Sequence, residues 1–310
     1  MNRLTHTDKG FFRSLQMSKI QFFVFVEGGL DRPFTERLIN RVFPKKSWGH
    51  AIVSMKEFPS ATGGKPALLK LFKILRKQKQ LQSIAFGKKM SCLFFADKDI
   101  DDILKDRVRS PHFIYTRSYD LEGHLFTFGN LTEAISDACL ITNQQASNFI
   151  GDPDAWIRHQ VINWKEWIAL CIISKIHNLS LGCGYTRPSD INPDYTSPTN
   201  HESLNDYSHR IQTTLGMSAE NFSQLHSKFS TIVENSANLD NPLRYFKGKW
   251  LQLLLEKSLE QAARVPDSNI NGAGERILST LVAQVGTKNS CKCCNPFIKN
   301  IQNISAFFEQ

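Results

Sequence analysis

The segment Lys19–Asp31, KIQFFVFVEGGLD, constrains this chain more than any other stretch. Its run of Phe and Val reads as a strand buried on both faces, and it stops abruptly at a glutamate followed by two glycines. Glu27 is therefore expected at a strand tip, with Gly28 and Gly29 turning the backbone and leaving open space beside the carboxylate. Asp31 is placed to cap the helix that follows. That helix, from Arg32 to about Val42, has Pro33 in its first turn and Phe34, Leu38 and Val42 on one face. Strand, acidic tip, glycine turn and helix predict an α/β fold that presents a carboxylate at the carboxyl edge of its sheet.

Further strands are expected at Trp48–Met55, Ser91–Ala96 and His112–Thr116. The expected strand Ser91–Ala96 runs into DKDIDD, where Asp97 and Asp99 would lie on the same side if the strand continued. Two carboxylates that close repel unless a proton or cation lies between them, and a divalent metal is the economical explanation. Asp101 and Asp102 read as the opening of a helix. A calcium loop fails here, because its sixth and twelfth positions hold Asp102 and Val108. Just past the fourth strand, Asp120 and Glu122 are again at a sheet edge, with Glu122 a further candidate metal ligand and His124 a candidate for proton transfer.

Between Phe58 and Ala96 the sequence has no acidic residue but holds Lys65, Lys70, Lys73, Arg76, Lys77, Lys79, Lys88 and Lys89. A helix opening at Lys65–Pro66 would bury Leu68, Leu71, Phe72 and Leu75 and turn Lys70, Lys73 and Lys77 outward. That basic face is either a solvated surface or a track for phosphates. Gly64–Lys65 is not a nucleotide-triphosphate loop, since Pro59 and Pro66 stand where a glycine and a hydroxyl are required. Lys65, at a helix N-terminus, remains placed to touch a substrate phosphate. The formal net charge of +9 agrees with a polyanionic partner.

From Leu131 onward the pattern is helical. Trp156–His177 is expected as a central packing helix, residues 184–208 as a surface loop, and Ala219–Glu234, Pro242–Ala263 and Gly272–Val285 as further helices. The implied organisation is an N-terminal extension over 1–18, an α/β domain over 19–130 and a helical region over 131–310. No apolar run approaches the roughly 18 residues of a membrane span. The absence of a signal-type segment and the seven scattered cysteines predict a cytoplasmic chain with reduced thiols. Cys291, Cys293 and Cys294 could supply three zinc ligands, with Cys183 as a fourth, although no second CxxC completes the set. Phe307 and Phe308 are candidates for an exposed apolar contact.

The ordered set of VEGGLD (Val26–Asp31), a basic helix and DKD (Asp97–Asp99) resembles the Toprim domain of topoisomerases, primases and OLD-type nucleases. SYDLEGHL (Ser118–Leu125) is similar to a signature of the Toprim-like effectors paired with ABC-type ATPases in phage defence, of PARIS-like type. The resemblance spans roughly residues 19–128, and it departs from the family pattern at Lys98 and Ile100. It implies a Toprim-like domain with a mainly parallel sheet and a nuclease dependent on Mg²⁺ or Mn²⁺. Glu27, Asp97, Asp99 and Lys65 would be catalytic, Glu27, Asp97, Asp99 and Glu122 would bind metal, and Lys65, Lys70, Lys73 and Lys77 would contact nucleic acid. Glu27 is either a metal ligand or a general base. The resemblance also implies a toxin cleaving tRNA or DNA, a likeness to homodimers when active, and restraint by an ABC-type ATPase sensor subunit. A non-catalytic Toprim-like binding module, and a small-molecule phosphohydrolase with Asp97 as nucleophile, are the competing readings.

Overall fold

The computed structural model describes residues 7–58, 63–179, 200–262, 270, 272–287 and 294–309. The chain is mixed α/β, with strands β1 Phe22–Val26, β2 His50–Ser54, β3 Gln82–Ala85, β4 Lys88–Ala96 and β5 Phe113–Tyr115. Its first helices are α1 Asp8–Met17, α2 Asp31–Val42, α3 Gly64–Lys77, α4 Asp101–Leu104 and α5 Leu121–Phe128. Then follow α6 Leu131–Cys139, α7 Asn143–Ile150, α8 Pro153–Asn163, α9 Lys165–Ile176, α10 His201–Leu215, α11 Ala219–Ala237, α12 Gly248–Ala262, α13 Ala273–Thr287 and α14 Asn295–Glu309. Among the described residues no helix is long and apolar enough to cross a membrane.

Two compact units share the chain: residues 1–97, 107–116 and 282–310 form one, and residues 98–106 and 117–281 form the other. The expected blocks 1–18, 19–130 and 131–310 do not coincide with them. The C-terminal segment joins the sheet because α14 carries Phe297, whose ring lies 5.4 Å from Phe95 of β4 and 6.1 Å from Phe34 of α2.

The sheet of the first unit runs β2-β1-β4-β3, with β5 also paired to β4. β1 is parallel to β2 and β4, β5 is parallel to β4, and β3 is antiparallel to β4. All five residues of β1 are buried, as a strand covered on both faces requires. Alternation along the strands divides the core. Phe25 stacks on Phe94 at 5.0 Å, and this face is covered by Phe11 of α1 and Phe72 of α3. On the opposite face Phe95 meets Phe34 of α2. Each such ring, taken out of water, stabilises the fold by roughly 1.5–3 kcal/mol. In α3, Leu68, Leu71, Phe72 and Leu75 are buried while Lys70, Lys73 and Lys77 are exposed, as the 3.6-residue period dictates.

Several expectations require correction. β4 begins at Lys88 rather than Ser91, and β3 precedes it in a hairpin that the sequence reading lacks. Ala85 pairs with Lys88, so Phe86-Gly87 is a two-residue turn with φ of +53° and +72°. Those are the dihedral signs of the hairpin turn whose twist suits its strands, a turn that favours Asn-Gly or Asp-Gly. A phenylalanine there costs roughly 1–2 kcal/mol by its Cβ clash. The expected helix Trp156–His177 is two helices, α8 and α9, that meet at Trp164. Trp164 and Trp167 are core residues. Part of the expected loop 184–208 is α10, and residues 180–199 lie outside the described residues. Phe308 is not an exposed contact: it docks against Phe22 at 6.1 Å and Trp48 at 5.4 Å. Cys183, Cys291 and Cys293 lie outside the described residues, and Cys294 is buried with its thiol donating to the Val285 carbonyl.

Candidate functional site

The carboxyl ends of β1 and β4 are neighbours, because Val26 is in register with Phe95. Continuing each strand by a residue or two brings Glu27 beside Asp97, and Glu27 Oε1 accepts the Asp97 backbone N–H at 2.9 Å. Both residues are half-buried. Asp31, at the start of α2, accepts the Gly28 N–H at 2.7 Å, which fixes the turn directly behind Glu27. Gly28 and Gly29 do not adopt positive φ. A Cβ on Gly29 would meet nothing within 4 Å, so the turn does not depend on glycine there.

Lys65 is the second residue of α3, and its ammonium lies 5.5 Å from the ring centroid of Tyr115 at the end of β5. The Arg107 guanidinium sits 4.9 Å from the same ring. Tyr115 also accepts the Val108 N–H on its hydroxyl at 3.0 Å. The Tyr115 ring attracts both cations to the β5 end by cation–π interaction. Neither Tyr115 nor Arg107 was singled out in the sequence. Their only signal is an aromatic at the end of a strand and a basic residue shortly before it.

The strand geometry expected to align Asp97 with Asp99 fails. β4 ends at Ala96, and Asp99 takes φ of +49°, so the two-residue alternation of a strand does not extend across the motif. The chain passes into the second unit at Lys98. There Lys98 is buried, donates to the Arg117 carbonyl at 3.0 Å and stands 4.0 Å from Asp102. Asp99 donates its backbone N–H to the Tyr119 carbonyl at 2.7 Å. Asp102 opens α4 as expected, but its Oδ2 is also paired with Arg244 at 2.7 Å.

Asp120 and Glu122 belong to the second unit as well. Asp120 caps α5: its Oδ1 accepts the backbone N–H of Gly123 at 2.8 Å and of Gly248 at 2.9 Å. Its Oδ2 is buried without a hydrogen-bond partner among the described residues. Burial, then the negative charge of Glu122, pushes this carboxyl up to about 7, against the two backbone donors and Lys249. Glu122 is buried, with the Lys249 ammonium 3.6 Å away. The expected proton-transfer role of His124 does not survive. The imidazole is fully buried beside Phe128 and is pushed down to about 3 by burial and by the charge of Arg117, so it stays neutral. Gly248 is a residue that no local pattern announces. A Cβ there would fall 2.0 Å from the Gly123 nitrogen, so the start of α12 sits directly on the backbone of α5.

Among the described residues no group of three or more His, Cys, Asp or Glu side chains is arranged to hold a metal. The pair Glu27 and Asp97 nonetheless fits a magnesium ion by donor chemistry. Mg²⁺ takes hard oxygen ligands, keeps several waters and is commonly held by only one or two carboxylates.

No family model matches this chain, and neither does any curated protein. The functional reading therefore rests on the residues themselves.

Proposed function

We propose that the chain is a metal-dependent nuclease of Toprim-like type, using Mg²⁺ or Mn²⁺, and the toxic effector of an anti-phage system restrained by an ABC-type ATPase. The observation that carries this reading is the contact of Glu27 with the Asp97 backbone at the carboxyl edge of a parallel sheet. Ligand sites of open α/β sheets lie at that edge. The basic, acid-free segment over residues 58–96 supports a polyanionic substrate.

In this reading Glu27 and Asp97 would hold the ion. The ion, when bound, neutralises charge that develops on the phosphoryl and leaving oxygens and lowers the pKa of an attacking water. The Asp97 N–H fixes the Glu27 carboxylate, and Asp31 fixes the turn behind it, so the site carries little reorganisation cost. Lys65 anchors a substrate phosphate, and Lys70, Lys73 and Lys77 follow the backbone along the exposed face of α3. Such contacts give salt-sensitive, largely sequence-independent affinity.

The test is cleavage of total cellular RNA and of plasmid DNA by the full chain, with and without Mg²⁺. Glu27→Ala is expected to lower cleavage by about 10²-fold or more while its thermal transition persists. A folded Glu27→Ala protein that cuts as wild type would overturn the assignment. A second reading, a non-catalytic module that binds nucleic acid or a partner, is favoured by the lack of a three-acid cluster among the described residues. It predicts intact nucleic-acid binding and no calorimetric signal with Mg²⁺ or Mn²⁺ at millimolar concentration.

A further inference from the structure

The β3–β4 hairpin carries a feature that folding does not explain. Phe86 occupies a left-handed position at its tip and is 86% exposed, and Ile84 on the adjoining strand β3 is 66% exposed. A bulky residue in this conformation is an outlier even when it is buried and useful to the core. Here the ring packs into no core, so the conformational strain is retained without a packing return.

Beside that ring lies an open cavity of about 490 Å³, within the size range of small-ligand sites. Its lining joins Phe86 and Met17 to Arg13, Lys19 and Lys88, and among the described residues it includes no carboxylate. Met17 is itself 70% exposed. Lys88 donates to the Ser18 and Ile20 carbonyls, which ties the α1–β1 connection to the hairpin and fixes a positive charge in the cavity. Arg13 and Lys19 are exposed around it. A flat apolar platform rimmed by cations, Lys88 fixed among them, complements a ligand that has a flat ring and a phosphate.

We infer that this cavity binds single-stranded nucleic acid, with a base stacked on Phe86 and the adjoining phosphates held by Arg13, Lys19 and Lys88. The inference deepens the nuclease reading by naming single strands as the substrate class and a contact that is separate from Glu27 and Asp97. Base stacking tolerates sequence because every base has a π-face, whereas a duplex keeps its bases paired and unavailable to the ring. The strained, exposed Phe86 is thereby explained.

The test measures fluorescence anisotropy of the full chain with labelled oligonucleotides of about twelve residues, in a length range that single-strand binders cover. RNA and DNA single strands, the matching duplex and a poly-glutamate peptide are compared, all in excess chelator so that cleavage plays no part. Phe86→Asn creates the Asn-Gly pair that this turn favours, so its melting temperature should hold or rise. Its affinity for both single strands is expected to fall by about tenfold or more. Arg13→Ala and Lys19→Ala should each flatten the slope of log affinity against log salt by about 0.7. A Phe86→Asn protein that binds single strands as tightly as wild type overturns the inference. So does one that loses the acidic peptide alone, which would identify an acidic protein segment as the occupant. The chelated binding result stands or falls separately from the Glu27 cleavage result, which tests the nuclease reading itself.

Discussion

Glu27 and Asp120 each follow the end of a strand, each opens toward a helix, and each looks in the sequence like an acid at a sheet edge. Within its own unit each has a different fate. Glu27 is half-buried and accepts the backbone N–H of Asp97. Asp120 is 2% exposed, and its Oδ1 accepts two backbone donors from segments 125 residues apart, Gly123 and Gly248. Converging backbone donors and full burial mark a carboxylate that assembles the fold. Partial exposure at the mouth of a parallel sheet marks one that can meet a ligand.

The severest test of this contrast is Gly248→Ala. Its new Cβ would overlap the Gly123 nitrogen and approach Asp120 Oδ1 to 2.6 Å, and both clashes involve atoms already fixed by hydrogen bonds. Urea unfolding should show a loss on the order of 4 kcal/mol or more, or no folded protein. An alanine tolerated within about 0.5 kcal/mol would mean that α12 does not seat on α5 as described, and the Asp120 half of the comparison would fail.

That contrast also marks the limit of what the sequence discloses. The Phe and Val run, the Glu27 tip and the lysine face of α3 are legible because each is local: burial and period are written into consecutive residues. The bond between Asp120 and Gly248 spans 128 residues, and nothing near Gly248 signals it. The β3–β4 hairpin escaped notice because its turn is Phe-Gly in place of the favoured Asn-Gly, and because β3 is only four residues long. The alignment of Asp97 with Asp99 rests on strand alternation, and that alternation does not reach Asp99, because β4 ends at Ala96 and Asp99 takes a left-handed φ. Trp164, itself buried, divides the expected central helix, since an apolar run fixes where a side chain goes and not whether the helix remains continuous.

The second test is the pH dependence of the cap. With its carboxyl raised to about 7 by burial and by Glu122, Asp120 retains its proton in the folded chain at pH values where the unfolded chain has released it. The folded state then binds more protons than the unfolded state, so stability falls as the pH rises from about 4 to about 7. At about 1.4 kcal/mol per pH unit the loss reaches a few kcal/mol at most. Asp120→Asn keeps an oxygen for both backbone donors and cannot ionise. Urea midpoints followed from pH 5 to pH 8 should therefore fall less steeply in Asp120→Asn than in wild type, with the variant the more stable of the two at the upper end. Parallel curves for the two proteins would show that Asp120 ionises in the folded chain as freely as in the unfolded one.

The smallest expected effect is the most informative about Glu27. Glu27→Gln preserves an oxygen that can accept the Asp97 N–H, alters no apolar contact and changes a half-buried side chain by one charge. If the role of Glu27 lies in chemistry and not in assembly, its unfolding free energy should stay within about 0.5 kcal/mol of wild type, the range of substitutions away from structural features. Glu27→Ala, which removes the acceptor altogether, should cost more than Glu27→Gln by about the 1 kcal/mol of a single hydrogen bond. A Glu27→Gln loss as large as that of Gly248→Ala would place Glu27 with Asp120 as a carboxylate the fold requires, and the retained acceptor separates that outcome from simple loss of the Asp97 contact.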